Sequence, residues 1–180
     1  MKRSLSVLVS SVLVALVIMS SGCGVGNGPG GPVANDPVIS TPKTSGSLVL
    51  TTSTTQANYR HGIAIPITFN VRNAGAQPIH TEFGSCYDFT ITIKKGAQEV
   101  WTGPSGGCAG VIRPLDIAPG AVQTYTYTWD QNDAEGKAIP TGTYTLTVRF
   151  NAGPINGVFL GGSSSDAYFS SNPINLTLTP

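Results

Sequence analysis

The sequence predicts an all-β domain, and three of its features lead to this prediction. Residues 124–129 and 143–150 each alternate threonine with aromatic or aliphatic residues. A side-chain period of two places each set on one face of a strand. Turn signals, Pro119-Gly120 and residues 140–142, come just before the two runs. No amphipathic helical pattern follows residue 22. We expect the two runs to form an antiparallel pair at the centre of the domain.

The first 22 residues predict export of the protein, and we do not expect them to belong to the folded domain. Two basic residues precede an apolar run at positions 4–19, and small residues follow it up to Gly22. This order is typical of a secretory signal. A transmembrane anchor is a weaker interpretation, because the run is at the short limit of about 20 residues that a bilayer requires.

A cysteine at the end of this signal indicates a lipid anchor. Cys23 directly follows Gly22, and this junction resembles a bacterial lipobox, in which the cysteine is acylated before the signal is removed. Ser20 departs from that motif, which usually has a large aliphatic residue there. We expect lipidation of Cys23 and attachment to the extracytoplasmic face of a bacterial membrane. The alternative is an ordinary signal peptide that leaves a free thiol.

The rest of the chain divides into a tether and one domain. Residues 23–46 are mostly Gly, Pro, Ser, Thr and Asn, which predicts a flexible, disordered tether. Residues 47–180 are enough for one domain with its own core. Without Lys2 and Arg3, eight basic residues stand against nine acidic ones, a net charge of about −1. A near-neutral surface offers no footprint for nucleic acid.

The strand candidates within residues 47–180 favour a sandwich. Short runs separated by turn signals predict an immunoglobulin-like antiparallel β-sandwich of about seven or eight strands. Tyr144, near the start of one run, fits a tyrosine corner. The candidate strands cover residues 47–53, 63–73, 87–94, 99–102, 111–117, 124–129, 143–150 and 174–179.

Several short motifs follow one another in a defined order between residues 63 and 150. They are Phe69-x-Val71-x-Asn73, Tyr87-Asp88-Phe89, Gly96-x-x-x-Val100-Trp101, Pro119-Gly120, Tyr125, Trp129-Asp130 and Pro140-x-Gly142-x-Tyr144-x-Leu146. In order and spacing they resemble the BsuPI-type proteinase inhibitor domain. The resemblance implies an immunoglobulin-like sandwich and a serine protease as partner. It assigns no reactive residue to this chain.

Residues that could support catalysis or hold a cofactor do not form a usable pattern. Residues 103–107 match G-x-S-x-G, but the residues that follow cannot build the helix that a nucleophile elbow requires. His61 and His80 are not at metal-ligand spacing from another histidine or a cysteine. The acidic segment 130–135 departs from the order of a calcium-binding loop. We predict a protein that is not an enzyme and has no cofactor or metal.

Two cysteines remain for the exported domain. Cys86 and Cys108 are an even pair, and an oxidising compartment favours a disulfide between them. Such a bridge would stabilise the domain by roughly 3 kcal/mol. The alternative is two separate thiols. The bridge would hold one end of a candidate partner-binding loop, formed by Gly103, Pro104, Ser105, Gly106, Gly107 and Arg113.

A second candidate contact lies between the last two predicted strands. Val158, Phe159 and Leu160 are large apolar residues flanked by glycines. They could bind a partner or cover the open end of the sandwich.

Together these observations predict a membrane-anchored lipoprotein whose sandwich binds a protein, with protease inhibition as the function that the resemblance implies. The alternative is a non-inhibitory structural, adhesion or assembly module of the cell envelope, since a fold does not fix a function. The sequence leaves the oligomeric state open.

Overall fold

Thirteen strands build the part of the chain that the computed structural model describes, residues 36–107, 110, 112–157 and 169–180. All of them lie in the structural unit Ala34–Pro180. Over the same residues, no helix has the length and apolarity needed to cross a membrane. The strands are β1 (Val38–Ile39), β2 (Lys43–Ser45), β3 (Leu48–Thr54), β4 (Asn58–Arg60), β5 (Ile65–Asn73), β6 (Ile79–Phe83), β7 (Phe89–Lys95), β8 (Gln98–Gly103), β9 (Arg113–Ile117), β10 (Val122–Trp129), β11 (Gly142–Phe150), β12 (Phe169–Ser170) and β13 (Ile174–Thr179).

The strands form two sheets and one ribbon. The first sheet has the order β1-β3-β5-β10, with β2 also paired to β3. The second sheet has the order β4-β13-β11-β7-β8, with β12 beside β11. Strands β6 and β9 form a separate two-stranded ribbon. The all-β class is confirmed. The β-sandwich is mostly antiparallel, as predicted, and one pair, β13 with β4, is parallel.

The predicted pairing of the two central runs is wrong. Strand β10 pairs with β5 in the first sheet, where Tyr125 lies opposite Phe69. Strand β11 pairs with β7 and β13 in the second sheet. Residues 130–141 therefore cross from one sheet to the other. This segment is longer than the two to five residues common in hairpin loops, and each strand buries its apolar face against the opposite sheet.

The core lies between the sheets and contains most of the predicted inward residues. Tyr144 also forms the expected tyrosine corner, since its hydroxyl donates to the Pro140 carbonyl at 2.5 Å. Tyr125, Tyr127 and Phe89 are only half-buried, because they lie toward the open side between the two edge strands β8 and β10. The predicted inward residues that are fully buried are Ile65, Ile67, Phe69, Ile91, Trp129, Tyr144, Leu146, Val148 and Phe150.

The sheet begins earlier than the sequence predicts. Strands β1 and β2 lie within the segment expected to be a disordered tether, and both pair with β3. Ser40 donates its N–H to the Thr52 carbonyl at 2.8 Å, and its hydroxyl accepts the Thr52 N–H at 3.0 Å. These backbone hydrogen bonds order the segment although it contains few apolar side chains. Amino-acid composition does not indicate such bonds, so the sequence did not predict the two strands. The tether prediction is wrong for residues 36–46, while residues 23–35 lie outside the described part.

Short strands account for the difference between the predicted seven or eight strands and the thirteen observed. Strands β1, β2, β4 and β12 have two or three residues each, too few for an alternating pattern to be recognised. The fifth unpredicted strand, β6, has five residues and pairs with β9 outside the two main sheets.

The sandwich has two ends that carry different loops. We call the first the Tyr87 end, which contains residues 84–88, 103–107 and 151–157. Phe69 of the first sheet and Phe89 of the second meet there, with ring centres 6.3 Å apart. We call the second the Pro140 end, which contains residues 55–57, 61–64 and 130–141.

Candidate partner-binding site

Residues 84–88 connect the loops of the Tyr87 end. The Tyr87 hydroxyl donates to the Ser105 carbonyl at 3.1 Å. Asn151 donates its side-chain amide to the Tyr87 carbonyl at 3.1 Å and its backbone N–H to the Asp88 carbonyl at 2.8 Å. The segment therefore binds residues 103–107 on one side and residues 151–157 on the other.

The candidate loop at residues 103–107 has a buried base and an exposed tip. Gly103 ends β8 and is buried beneath Trp101; a β-carbon at Gly103 would lie 2.4 Å from the indole ring. A cis peptide bond joins Gly103 to Pro104. Ser105, Gly106 and Gly107 are exposed. The site thus presents backbone and a small hydroxyl to solvent on a base that only glycine fits.

Arg113 lies at the start of a strand and not within residues 103–107, and its contact with a partner stays a prediction. It begins β9, opposite Phe83. Its guanidinium forms an ion pair with Asp88 at 2.5 Å and donates to the carbonyls of Ser85 and Cys86 at 3.2 and 3.3 Å. The guanidinium also lies 5.5 Å from the centre of the Phe83 ring. Arg113 therefore ties β9 to residues 85–88.

The Arg113–Asp88 pair lies beside a buried phenol. The Tyr125 hydroxyl is buried without a hydrogen-bond partner among the described residues. Burial raises the pKa of Tyr125 well above its usual value, and the negative charge of Asp88 raises it further, while Arg113 acts in the opposite direction. The surroundings of the Tyr125 hydroxyl therefore favour a neutral phenol.

A shallow cavity of about 370 Å³ opens beside the exposed tip. Residues 84–87, Gly106 and Asn151 line it. Ile112, just before β9, is 64% exposed and provides an apolar contact near the same end of the fold. The cavity and the exposed Ile112 side chain together suit a partner that inserts one of its own side chains beside residues 105–107.

Sequence reasoning identified residues 103–107 but missed the residues that support them. Asn151 belongs to no motif, and the roles of Asp88 and Asn151 depend on contacts between segments distant in sequence. Tyr87 and Asp88 stand together in the run that carries the family resemblance, which was the only available signal. Ile112 falls within the strand predicted at residues 111–117, but β9 begins only at Arg113, so the side chain of Ile112 is exposed.

Several predicted residues lie outside the described part of the chain. These are Cys23, Cys108, Val158, Phe159 and Leu160. Lipidation, the pairing of Cys86 with Cys108 and the second contact segment therefore remain predictions.

The residues considered for metal binding or catalysis have other contacts. His61 Nε2 lies 2.6 Å from the Ile139 carbonyl oxygen, and His80 Nδ1 lies 2.6 Å from an Asp116 carboxylate oxygen. No cluster of three or more possible metal ligands occurs in residues 36–107, 110, 112–157 and 169–180. Ser105 lies at a strand end where the described neighbours form no helix.

The sequence profile of the BsuPI family, the intracellular proteinase inhibitors, matches residues 51–155, more than half of the 180-residue chain. The chain belongs to this family. The match begins within β3 and ends after β11, so it contains residues 84–88 and 103–107.

Two curated proteins are also similar in sequence. They are the basal-body rod modification proteins FlgD of Salmonella typhimurium and Salmonella typhi, each 25% identical over 93 residues. This alignment covers 52% of the chain and 39% of FlgD. The chain therefore spans well under half the length of these relatives.

Solved structures with a similar arrangement include two β-glucosidases. The enzyme EmGH1 of Erythrobacter marinus matches 81% of this chain with 16% of its own, at 14% identity and a TM-score of 0.41. The enzyme of Listeria innocua, in complex with gluconolactone, matches 82% of this chain with 16% of its own, at 8% identity and a TM-score of 0.34.

Proposed function

We propose that this protein is an extracytoplasmic, lipid-anchored inhibitor that binds a serine protease through residues 103–107. The family membership supports a protease as partner. The observation that carries the proposal is the construction of the loop, whose exposed tip at Ser105, Gly106 and Gly107 stands on a buried Gly103 and is bonded to Tyr87.

This construction has the property that inhibition through a loop requires. A protease binds its substrates as extended backbone, and a segment already held in one conformation loses less entropy when it binds. Tyr87 fixes the middle of the segment, and Trp101 packs against its base. Arg113 fixes the strand that follows. The flat outer faces of the sheets carry threonine, which is under-represented among binding hot spots.

The predicted lipid anchor indicates in which compartment the target protease is found. The family is named for intracellular inhibitors, whereas residues 1–22 and Cys23 have the sequence pattern of an exported lipoprotein. We therefore place the target protease outside the cytoplasm. Mass spectrometry of the mature N-terminus should find a diacylglyceryl group on Cys23. An unmodified N-terminus generated by cleavage elsewhere would contradict the anchor.

A disulfide between Cys86 and Cys108 is part of the same proposal. Cys86 is disulfide-bonded, and its neighbour Tyr87 contacts Ser105, three residues before Cys108. Peptide mapping without reduction should recover the pair as one cross-linked species. Replacing both cysteines with serine should lower the free energy of unfolding by roughly 2–5 kcal/mol. Recovery of Cys108 as an alkylatable thiol from native protein would contradict the pairing.

The test of inhibition is a loop exchange with a matched control. The purified protein is titrated against subtilisin-like and trypsin-like serine proteases. Residues 103–107 are then replaced by a Ser-Gly segment of equal length. The control replaces residues 133–136 at the Pro140 end in the same way. We expect the first exchange to abolish inhibition and the control to leave it unchanged.

Each outcome of this titration decides between sites. Inhibition that survives the exchange at residues 103–107 would exclude them, and serine substitutions at Val158, Phe159 and Leu160 would then test the second candidate. Inhibition lost in both exchanges would indicate a general loss of folding, which circular dichroism detects.

A non-inhibitory envelope module is the alternative function. The similarity to FlgD, a protein named for modification of the basal-body rod, favours a role in assembly. Both functions require a partner protein and exclude the loop as a catalytic centre. Absence of inhibition against every protease tested, with the fold intact, would favour the assembly module.

A further inference from the structure

Strand β10 is an unprotected edge. It is the last strand of the first sheet, and within the described residues it pairs only with β5. Its other side therefore offers backbone N–H and C=O groups to a new strand. Proteins usually block such an edge with charged residues, proline or a bulge. The sequence of β10, VQTYTYTW, has neither charge nor proline.

The corresponding edge of the second sheet is protected. Strand β8 includes the charged residue Glu99. Its pairing with β7 shifts register between Ile93 and Lys94, which is the kind of irregularity that discourages further pairing. The contrast makes β10 the edge that is suited to an added strand.

The sequence of β10 reads the same in both directions around its centre. Residues 124–128 are Thr-Tyr-Thr-Tyr-Thr, with Thr126 in the middle. The threonines are exposed on the outer face, and Tyr125 and Tyr127 are half-buried on the inner face. A palindromic antiparallel strand is self-complementary, which is the requirement for a two-fold symmetric interface.

We propose that two copies of this chain associate through β10, with the two-fold axis at Thr126. In this register Thr124 faces Thr128 of the other copy, and Tyr125 faces Tyr127. Side chains on the same face of the sheet then lie opposite each other, as an antiparallel pair requires. The added strand covers the exposed parts of both tyrosines, so that the first sheet continues from one copy into the other.

Charges at the ends of the strand agree with this register. Val122 lies opposite Asp130 of the other copy, and Val122 is paired on its other side with Arg72 of β5. Arg72 and Asp130 are both exposed. Arg72, Val122 and Asp130 of the other copy therefore lie side by side on three adjacent strands. The two-fold axis repeats this arrangement at the other end of the interface. This charge complementarity favours a second copy over an unrelated strand.

The first test uses a charge at the symmetry axis. Thr126→Lys places two lysines opposite each other, and Thr126→Glu places two glutamates there. We expect each variant alone to dimerise about 100-fold more weakly than the original chain, because like charges face each other. Mixing the two variants, each with a different affinity tag, should restore co-purification of the pair. Sedimentation of the full chain in detergent measures the dissociation constants.

The matched control is Thr68→Lys. Thr68 is paired with Thr126 in the neighbouring strand and lies on the same outer face, but it is one strand away from the axis. This variant should dimerise like the original chain. A cysteine at position 126 should cross-link to itself on oxidation, whereas a cysteine at position 68 should not.

Three results would overturn the proposal. They are a monomeric original chain at all concentrations tested, a dimer that survives Thr126→Lys, and cross-linking at position 68 but not at position 126. Inhibition of proteases is measured separately on the same variants, so a failure of the dimer leaves the proposed inhibitory function untouched.

Discussion

The two ends of the sandwich differ in how their loops use hydrogen bonds. At the Pro140 end, the connecting segments bond to one another through a buried side chain, while their tips, such as residues 134–138, are exposed. Gln131 is buried and accepts the Gly62 N–H at 2.9 Å, while its amide donates to the carbonyls of Arg60 and Ile63 at 3.1 and 2.6 Å. Ile139 is buried as well. This end is closed by its own polar groups.

The Tyr87 end has comparable bonds at the base of its loops, and the exposed tip has one bond, from the Tyr87 hydroxyl to the Ser105 carbonyl. Arg113, Asp88 and Asn151 connect the strands to residues 85–88. Residues 105–107 remain exposed beyond these contacts. The Pro140 end thus joins its loops through the buried Gln131 side chain, whereas the Tyr87 end holds residues 105–107 through the partly exposed Tyr87. This difference is why we place the partner at the Tyr87 end.

The largest expected effect on the free energy of unfolding is at the Pro140 end. Gln131→Ala removes three hydrogen bonds made by a buried side chain, and the Gly62 N–H and the Ile63 carbonyl lose this partner, whereas the Arg60 carbonyl still accepts the Ile63 N–H. We expect the free energy of unfolding to fall by about 3 kcal/mol, measured by urea denaturation. Asn132→Ala, whose side-chain amide bonds only to the exposed Asp130, should change it by less than about 0.5 kcal/mol.

The same pair of variants sharpens the comparison between the ends. Folded Gln131→Ala protein should inhibit a target protease as well as the original chain does. A loss of inhibition in this variant, at temperatures where it remains folded, would show that the two ends are not independent.

A smaller effect on stability is expected at the Tyr87 end. Arg113→Ala removes a half-exposed ion pair and two bonds to carbonyls. We expect a loss of about 1–2 kcal/mol in the free energy of unfolding. Inhibition should weaken by more than this loss explains, because β9 is released from residues 85–88. Arg60→Ala, a change at an exposed arginine of the Pro140 end, is the control and should leave both quantities unchanged.

The smallest effect at neutral pH is expected for Tyr125→Phe. Its hydroxyl is buried without a partner, so its removal should change the free energy of unfolding by less than about 0.5 kcal/mol. Tyr144→Phe, by comparison, loses the bond to Pro140 and should cost about 1 kcal/mol.

The Tyr125 variant should differ from the original chain in alkaline solution. Burial, and then Asp88, raise the pKa of Tyr125 in the folded protein, whereas an unfolded tyrosine ionises at about pH 10. Above that pH unfolding releases a proton, so stability falls as the pH rises. Tyr125→Phe should flatten this fall. Parallel curves for the two proteins between about pH 9 and 11 would contradict the assignment.

Much of the fold could be predicted from the sequence because alternation reports which face of a strand is buried. The buried face of β11 was predicted in this way from the alternation in residues 143–150. Alternation does not report which strand lies beside which, so β10 and β11 were paired although they belong to opposite sheets. It also fails for β1 and β2, which are ordered by backbone bonds to β3.

The candidate site was predictable only in outline. Glycine and proline at residues 103–107 indicate a loop, and that local signal was sufficient to locate it. The ion pair of Asp88 with Arg113 joins residues 25 positions apart, and single-sequence patterns contain no information about such pairs. For this reason Arg113 was assigned to the loop although it begins a strand.

The pairing of β1 with β3 gives the domain a polarity. Val38 lies opposite Thr54, the last residue of β3, which ends at the Pro140 end. The polypeptide therefore joins the sandwich at the end farthest from residues 103–107. A partner that binds residues 105–107 would therefore leave the edge at Val38 uncovered.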